Sequence, residues 1–290
     1  MNFIQSILKG LFDTFLFLLY SLSLNVKKVK GKQLIFLLRK EFHSVEKGLS
    51  LRNSRDSFGA EPRRNVKILL TKENKNHKQF NSVASFANES LKQYNNRDFI
   101  SKNGGAVNYS FDDIDFNLSK NLLTQRRSVR TYKNEKVPTK MLSKITGQAI
   151  NAPSVCNRQH WKVLYIQDKN IINNVLKHQN GNRGFADEIY NLALVLSDRR
   201  AFGFLEKDQT DFDSGLFAMQ LINSLTLNGL VSCPLNACLS IKRSLALYRI
   251  LKLPKYYKIT MFLSFGYPEN PTKVAISKKL NSECYFDVVI

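Results

Sequence analysis

Residues 125–161, QRRSVRTYKNEKVPTKMLSKITGQAINAPSVCNRQHW, constrain this chain more than any other stretch. They hold two unusual clusters about one helix apart. The first is Arg126-Arg127-Ser128-Val129-Arg130, three guanidinium groups within five residues. Such crowding costs charge repulsion unless an anion sits among the groups. Arg suits phosphate because its planar fork makes two parallel charge-assisted hydrogen bonds, and Ser128 adds a hydroxyl. The second cluster runs from Ala152 through Pro153, Ser154, Val155, Cys156, Asn157, Arg158, Gln159 and His160 to Trp161, the chain's single tryptophan. It is a turn rich in small and amide residues, and amides can read the polar edge of a flat heterocycle. Each cluster alone has an ordinary reading, a solvated basic face or plain loop chemistry. Their order and the amphipathic helix that joins them give the pair its weight.

The pattern beyond the pair predicts the fold class. Pro138–Asn151 is the joining helix, with Met141, Leu142, Ile145 and Ile150 inward and Pro138 at its start, where a missing N–H does no harm. WKVLYIQ (161–167) alternates as a strand, 171–177 is a helix, and YNLALVLS (190–197) is a buried strand. Asp211–Asn228 is a long helix apolar on most sides, hence buried or interfacial, and Gly229 closes it. A helix over 242–251 and a strand over 258–265 follow, with a further strand possible near the C-terminus. A run of mixed helices and strands of this kind reads as an α+β sandwich.

At this point the sequence resembles the FMN-dependent nitroreductase family. RRSVRTY resembles that family's R-R/H-S-x-R/K-x-F/Y opening, and APSVCNRQHW its A-P-S-x-x-N-x-Q-P-W turn. DSGLFAMQLINSLTLNGLVSC resembles the family's long interface helix, and ILKLPKYYKITMFLSFGYP its L-x-x-P…G-Y-P ending. The likeness extends loosely from about Asp115 to the C-terminus and leaves the first hundred residues uncovered. It implies an α/β/α sandwich with a mostly antiparallel central sheet and an intertwined homodimer with FMN at the subunit interface. It also implies hydride transfer from NADH or NADPH through the flavin to a small-molecule acceptor, a nitroaromatic, a quinone or similar; the alternatives are a flavin-binding protein of this fold without reductase turnover, serving as sensor or scaffold, and a membrane-associated basic protein acting through its N-terminal helices. By resemblance Arg126 and Ser128 grip the phosphate and ribityl end, with Arg127 and Arg130 near the ring or ribityl chain. Pro153, Ser154, Val155 and Asn157, and Gln159 more weakly, reach the flavin of the other subunit. Cys233, Pro234 and Leu235 cover the ring face. Pro234 has no N–H, so a neighbour would have to donate to the flavin N5. A basic residue after G-Y-P usually completes the phosphate site, and Lys278 and Lys279 lie in that region. No side chain is assigned a catalytic role, because hydride transfer needs approach and alignment more than an acid or base.

Ahead of this part the reading is a helical N-terminal extension over 1–97, a linker over 98–113 marked by Asn103-Gly104-Gly105, and an FMN-binding domain over 114–290. Residues 1–24 have apolar side chains at helical spacing, interrupted by Lys9 and Asp13. An Asp near the centre of a spanning helix costs about 2.5–3.5 kcal/mol, which argues against a membrane span. Two readings stay open, packing on the protein or a partner chain, and peripheral contact of residues 1–32 with a membrane helped by Lys27, Lys28, Lys30 and Lys32. A second helix over 33–51 ends near Gly48 as a C-cap, and His43, Glu46 and Lys47 read as its solvated face. H-x-x-E-K-G-L there also resembles a feature preceding the reductase domain in a subset of nitroreductase-like proteins, and offers no chemistry. Residues 63–97 form one long helix or two short ones.

The net charge of +21 permits nucleic acid, anionic membrane or an acidic ligand as partner, but the lysines are dispersed and no nucleic-acid module is recognisable. Nucleic acid is therefore not expected. Cys156, Cys233, Cys238 and Cys284 lack C-x-x-C spacing and the four histidines are scattered, so neither a zinc site nor a disulfide framework is indicated. A reducing compartment follows, cytoplasmic, with a peripheral position at the inner face of the membrane as the variant.

Overall fold

A computed structural model describes residues 3–21, 25–50, 59–72, 78–96, 99, 104–106, 122–124, 126–272, 274–275 and 282–289. The element order begins with four helices, α1 (Phe3–Tyr20), α2 (Gly31–Ser50), α3 (Ala60–Leu70) and α4 (Lys78–Asn95). The 63–97 region is thus two helices. α3 starts at Ala60, which places Pro62 in the first turn, where its lack of an N–H is harmless. α2 runs through Gly48 to Ser50, and Gly48 is buried inside the helix. The expected C-cap at Gly48 is therefore corrected: a cap of that kind needs a left-handed backbone, and Gly48 is not among the positive-φ glycines.

The rest comprises α5 (Thr139–Ala149), β1 (Trp161–Ile166), α6 (Lys169–Leu176), β2 (Asn191–Asp198), α7 (Gln209–Leu227), β3 (Val231–Leu235), α8 (Ile241–Ile250) and β4 (Tyr257–Gly266). The sheet order is β1-β2-β4-β3, with every pair antiparallel. Caps fix several ends. The Asp168 carboxylate accepts from the Ile171 amide at 2.9 Å to start α6, and Gly229, at φ 76°, follows the Asn228 that closes α7. β3 has no counterpart among the expected strands, because Pro234 interrupts its pattern. Pro234 is tolerated since β3 is an edge strand. Among the described residues of 282–289 there is no strand.

Alternation along the strands splits the core into two layers. Leu192, Leu194, Leu196 and Phe262 face one way, onto Ile172, Val175 and Leu176 of α6 and Leu247 of α8. Ala193, Val195, Leu263 and Phe265 face the other way, onto Leu142 and Ile145 of α5 and Phe217, Leu221 and Leu225 of α7. The result is an α/β/α sandwich with an antiparallel sheet. β2 is buried along its whole length, as a central strand covered on both faces must be.

The N-terminal helices make a third apolar cluster, Leu34, Leu38 and Phe42 of α2 against Val66 and Leu69 of α3 and Phe80 and Val83 of α4. They join the sandwich through a smaller cluster of Phe17 (α1), Phe36 (α2), Ala201 and Phe202. α2 also holds part of the expected linker. Glu46 Oε1 accepts from the Gly105 amide and the Ser90 hydroxyl, each at 3.2 Å, and His43 Nδ1 lies 3.1 Å from Glu46 Oε2. The Gln93 amide group pairs with both the N–H and the C=O of Ala106 at 2.6 Å. A Cβ at Gly105, whose φ is +93°, would collide with the Gln93 side-chain oxygen. The helix face that reads as solvated is in part a clasp for Gly104–Ala106.

Candidate functional site

The first cluster is built onto the free edge of β3. Ser128 forms a parallel bridge with Ser232, and the Val129 amide donates to the Ser232 carbonyl at 3.1 Å. Tyr132 anchors the segment from below. Its buried hydroxyl donates to the Val129 carbonyl at 2.5 Å and lies 2.9 Å from Ser264 Oγ. Burial holds the Tyr132 phenol far above its ordinary range, the Ser264 hydrogen bond notwithstanding. Gly266 lies against the Tyr132 ring, where a Cβ would come within 3.1 Å of Tyr132 Cβ. Tyr132 is the residue here that the sequence reading placed in the motif but gave no function.

On that anchored segment the three arginines diverge. Arg127 is exposed and folds back, its Nη1 donating to the carbonyls of Thr124 and Arg126 at 2.8 and 2.9 Å. Arg130 is exposed, with its guanidinium 6.0 Å from the centre of the Phe185 ring. Arg126 is half-buried, and its Nη1 is buried with no hydrogen-bond partner among the described residues. A buried, unpaired guanidinium N–H is costly unless an anion completes it. Cys233 lies beside this group. Burial pushes its thiol up, against the pull of Arg130, the Ser128 side chain and Arg126. Those pulls put Ser128, Arg126, Arg130 and Cys233 in one locality, with Pro234 and Leu235 next along β3.

The second cluster is a strained turn. Cys156, Asn157 and Gln159 have φ of 50°, 50° and 49°, left-handed backbone that only Asn among them adopts readily. Internal bonds hold it. Ser154 Oγ accepts from the Gln159 amide at 3.1 Å, and Gln159 Nε2 donates to Asn157 Oδ1 at 2.6 Å. The Val155 amide donates to buried Asp213 Oδ2 on α7 at 3.0 Å, while the Val155 side chain packs on the Phe17–Phe36–Phe202 cluster. Pro153 is exposed at the lip. Arg158, fully buried, makes a two-pronged pair with Glu206 at 2.9 and 2.6 Å and donates to the Ala201 carbonyl at 3.0 Å. Burial works against the Glu206 carboxylate, but the Arg158 hydrogen bond, the Gly203 amide and the Arg158 charge outweigh it and hold its pKa below the usual range. His160 Nδ1 lies 3.0 Å from Ser197 Oγ, and its Nε2 stands 3.6 Å from Asp213 Oδ2. Asp213 and Glu206 were missed in the sequence. Asp213 was legible only as an acid embedded in the apolar run of α7.

The two clusters lie at opposite edges of the sheet: the first bridges to edge strand β3 and the second leads into edge strand β1, with β2 and β4 between them. Lys278 and Lys279 lie outside the described residues. A cavity of about 540 Å³ opens beneath α1, away from both clusters. Its charged groups pair with one another, Asp13 with Lys9 and Arg199, and Asp211 with Lys258, so nothing there calls for an ion. Among the described residues no group of three or more His, Cys, Asp or Glu side chains is placed to hold a metal.

A three-layer α+β sandwich with an antiparallel sheet defines the fold class. Residues 123–197, which span both clusters, match the model of the Nitroreductase family. No curated protein matches the chain. Among solved structures the chain is similar to an FMN-dependent nitroreductase from Clostridium difficile R20291, at 21% identity and TM-score 0.51, with 59% of this chain and 99% of that one covered. It is also similar to a nitroreductase-like protein from Streptococcus mutans, at 19% identity and TM-score 0.51, covering 60% and 99%. A Clostridium acetobutylicum protein with the working name NADH oxidase aligns at 22% identity and TM-score 0.50, covering 57% and 97%. The resemblance to the nitroreductase family seen in the sequence is thus found again by both comparisons, and the fold is the nitroreductase fold. The N-terminal helices are additional to the sandwich. The first cluster fits FMN on one observation: Arg126 presents a buried donor, partnerless among the described residues, of the sort a phosphate completes.

Proposed function

We propose that this chain is an FMN-dependent oxidoreductase that passes hydride from NADH or NADPH to a small-molecule acceptor, a nitroaromatic, a quinone or similar. The observation that carries the reading is the orphaned Arg126 Nη1 beside Ser128 and Arg130. Arg126 and Ser128 would hold the phosphate, with Arg130 close by, Arg127 turning inward from its present backbone contacts, and Lys278 or Lys279 adding charge. Cys233, Pro234 and Leu235 would line the ring face. When bound, FMN supplies the two-electron chemistry, and the protein's part is to bind, orient and shield. Positive charge from Arg126 and Arg130 favours an electron-rich ligand at this edge.

The active form in this reading is a homodimer in the cytoplasm. Pro153, Ser154, Val155, Asn157 and Gln159 would complete the site of the other subunit, a division of labour supported by the two clusters lying at opposite edges of the sheet. The outer face of α7 supports it too, since Phe212, Met219 and Leu227 stand exposed along that helix. Residues 114–290 would be the flavin-binding domain, with 98–113 as linker and 1–97 as a helical extension.

The test is the visible spectrum of the purified full chain, before and after reconstitution with FMN, then anaerobic reduction by each nicotinamide. A yellow protein reduced by NADH or NADPH is expected. A colourless protein that cannot be loaded with FMN refutes the flavin reading, and a loaded protein that neither nicotinamide reduces refutes the donor.

A further inference from the structure

α1 is amphipathic in the reverse of the usual sense. A surface helix normally turns its apolar stripe to the core and its charges to water. Here Ile4, Ile7, Leu8, Leu11, Phe15, Leu18 and Leu19 stand outward, from 48% to 66% exposed. At 100° per residue they fill one arc of about 120° with no charged residue in it. The charges of the helix are on the protein side. Lys9 and Asp13 pair with each other there, Asp13 also meets Arg199, and Leu16 and Phe17 are buried nearby. An apolar strip on an 18-residue helix, about 27 Å long, is more than a monomer in water leaves bare without use. No helix among the described residues is long and apolar enough to cross a membrane, so the arc suits a helix lying on a bilayer.

We infer that the outward face of α1 docks on a lipid bilayer containing anionic headgroups, burying its apolar arc in the interfacial region. Charge selects this occupant over a second copy of the chain. Exposed Lys27, Lys28 and Lys30 follow the helix, so a second copy seated on this face brings like charges together locally, while an anionic surface attracts the lysines and receives the apolar arc. The width of the arc points the same way. A two-helix seam uses a narrower stripe, whereas Ile7 and Leu19 widen this one at either flank.

The experiment is flotation of the full chain with vesicles of phosphatidylcholine alone, or with about one third phosphatidylglycerol added. Wild-type protein is expected to float with the anionic vesicles. The double substitution Leu11→Glu, Phe15→Glu should reduce the floated fraction at least about tenfold while circular dichroism stays unchanged. Lys27→Glu, Lys28→Glu, Lys30→Glu, which leaves the arc intact, should lower binding to anionic vesicles alone. Wild-type protein that stays unbound overturns the inference, as does equal flotation of the Leu11/Phe15 variant. A halved particle mass on light scattering of that variant would give the arc to a second copy instead.

Discussion

The two halves of the candidate site solve opposite problems. Around Arg126–Arg130 the backbone is relaxed and well anchored, but a charge is left open: Arg126 Nη1 is buried without an acceptor among the described residues. Around Pro153–Trp161 each acid has a partner, Glu206 in Arg158 and Asp213 in the Val155 amide, and the cost lies in the backbone, in three non-glycine residues at positive φ. The first half is electrostatically incomplete and conformationally settled. The second is the reverse. In the proposed dimer the site would take its affinity from one side and its shape from the other.

Removing the open charge should have the largest effect. Arg126→Ala with Ser128→Ala deletes the two proposed phosphate contacts and should weaken FMN binding by about 100-fold or more, read by flavin fluorescence titration. Unchanged flavin content would break the comparison, since the first half would then hold no anion. Next comes the closed charge. Glu206→Gln leaves Arg158 buried without its counter-ion and should destabilise the fold by about 2–3 kcal/mol, discounted because Glu206 is a third exposed, as urea unfolding would measure. The sign with pH follows from the lowered folded pKa of Glu206. Its contribution is fully present above the ordinary carboxylate pKa of about 4.3 and is lost as pH falls through the lower folded value, so acid unfolding of Glu206→Gln should be flatter there. A parallel acid limb in the two proteins would deny the pair that role.

Smaller effects probe the anchors. Asp213→Ala takes the acceptor from the Val155 amide and should cost about 1–3 kcal/mol. If the turn serves a flavin, that loss should also weaken FMN binding roughly tenfold, whereas a stability loss with unaltered flavin affinity would separate the turn from the site. Tyr132→Phe removes a buried hydroxyl from the Val129 carbonyl and Ser264, and about 1 kcal/mol of stability should go with it in thermal or urea melts. A loss within 0.3 kcal/mol of zero would mean that packing alone fixes the first half.

Much of the sandwich was legible because its periods are strong. YNLALVLS, KITMFLSF and the apolar run of α7 each appear within a residue or two of their expected bounds. β3 escaped notice because an edge strand tolerates a proline that a pattern search counts as a stop. Gly48 was misread because local sequence does not tell a buried helical glycine from a capping one. The arginine cluster was visible in the sequence, but its sorting was not. That Arg127 folds onto its own backbone while Arg126 Nη1 has no partner among the described residues depends on where Ser232 and Tyr132 hold the segment, and those contacts join residues about a hundred or more apart. The outward turn of α1 was equally hidden. Spacing shows that a stripe exists but not which side of the helix meets the body.

The backbone of the Ser154–Gln159 turn bears on what selection and engineering can do with this chain. Cys156 and Gln159 occupy conformations in which glycine would be more comfortable by about 1 kcal/mol each. Stability is therefore available at two single positions, at the expense of a thiol and an amide where a ligand edge would lie. A thermostabilised variant that drifts toward glycine here would show which of the two, robustness or recognition, the turn had been keeping.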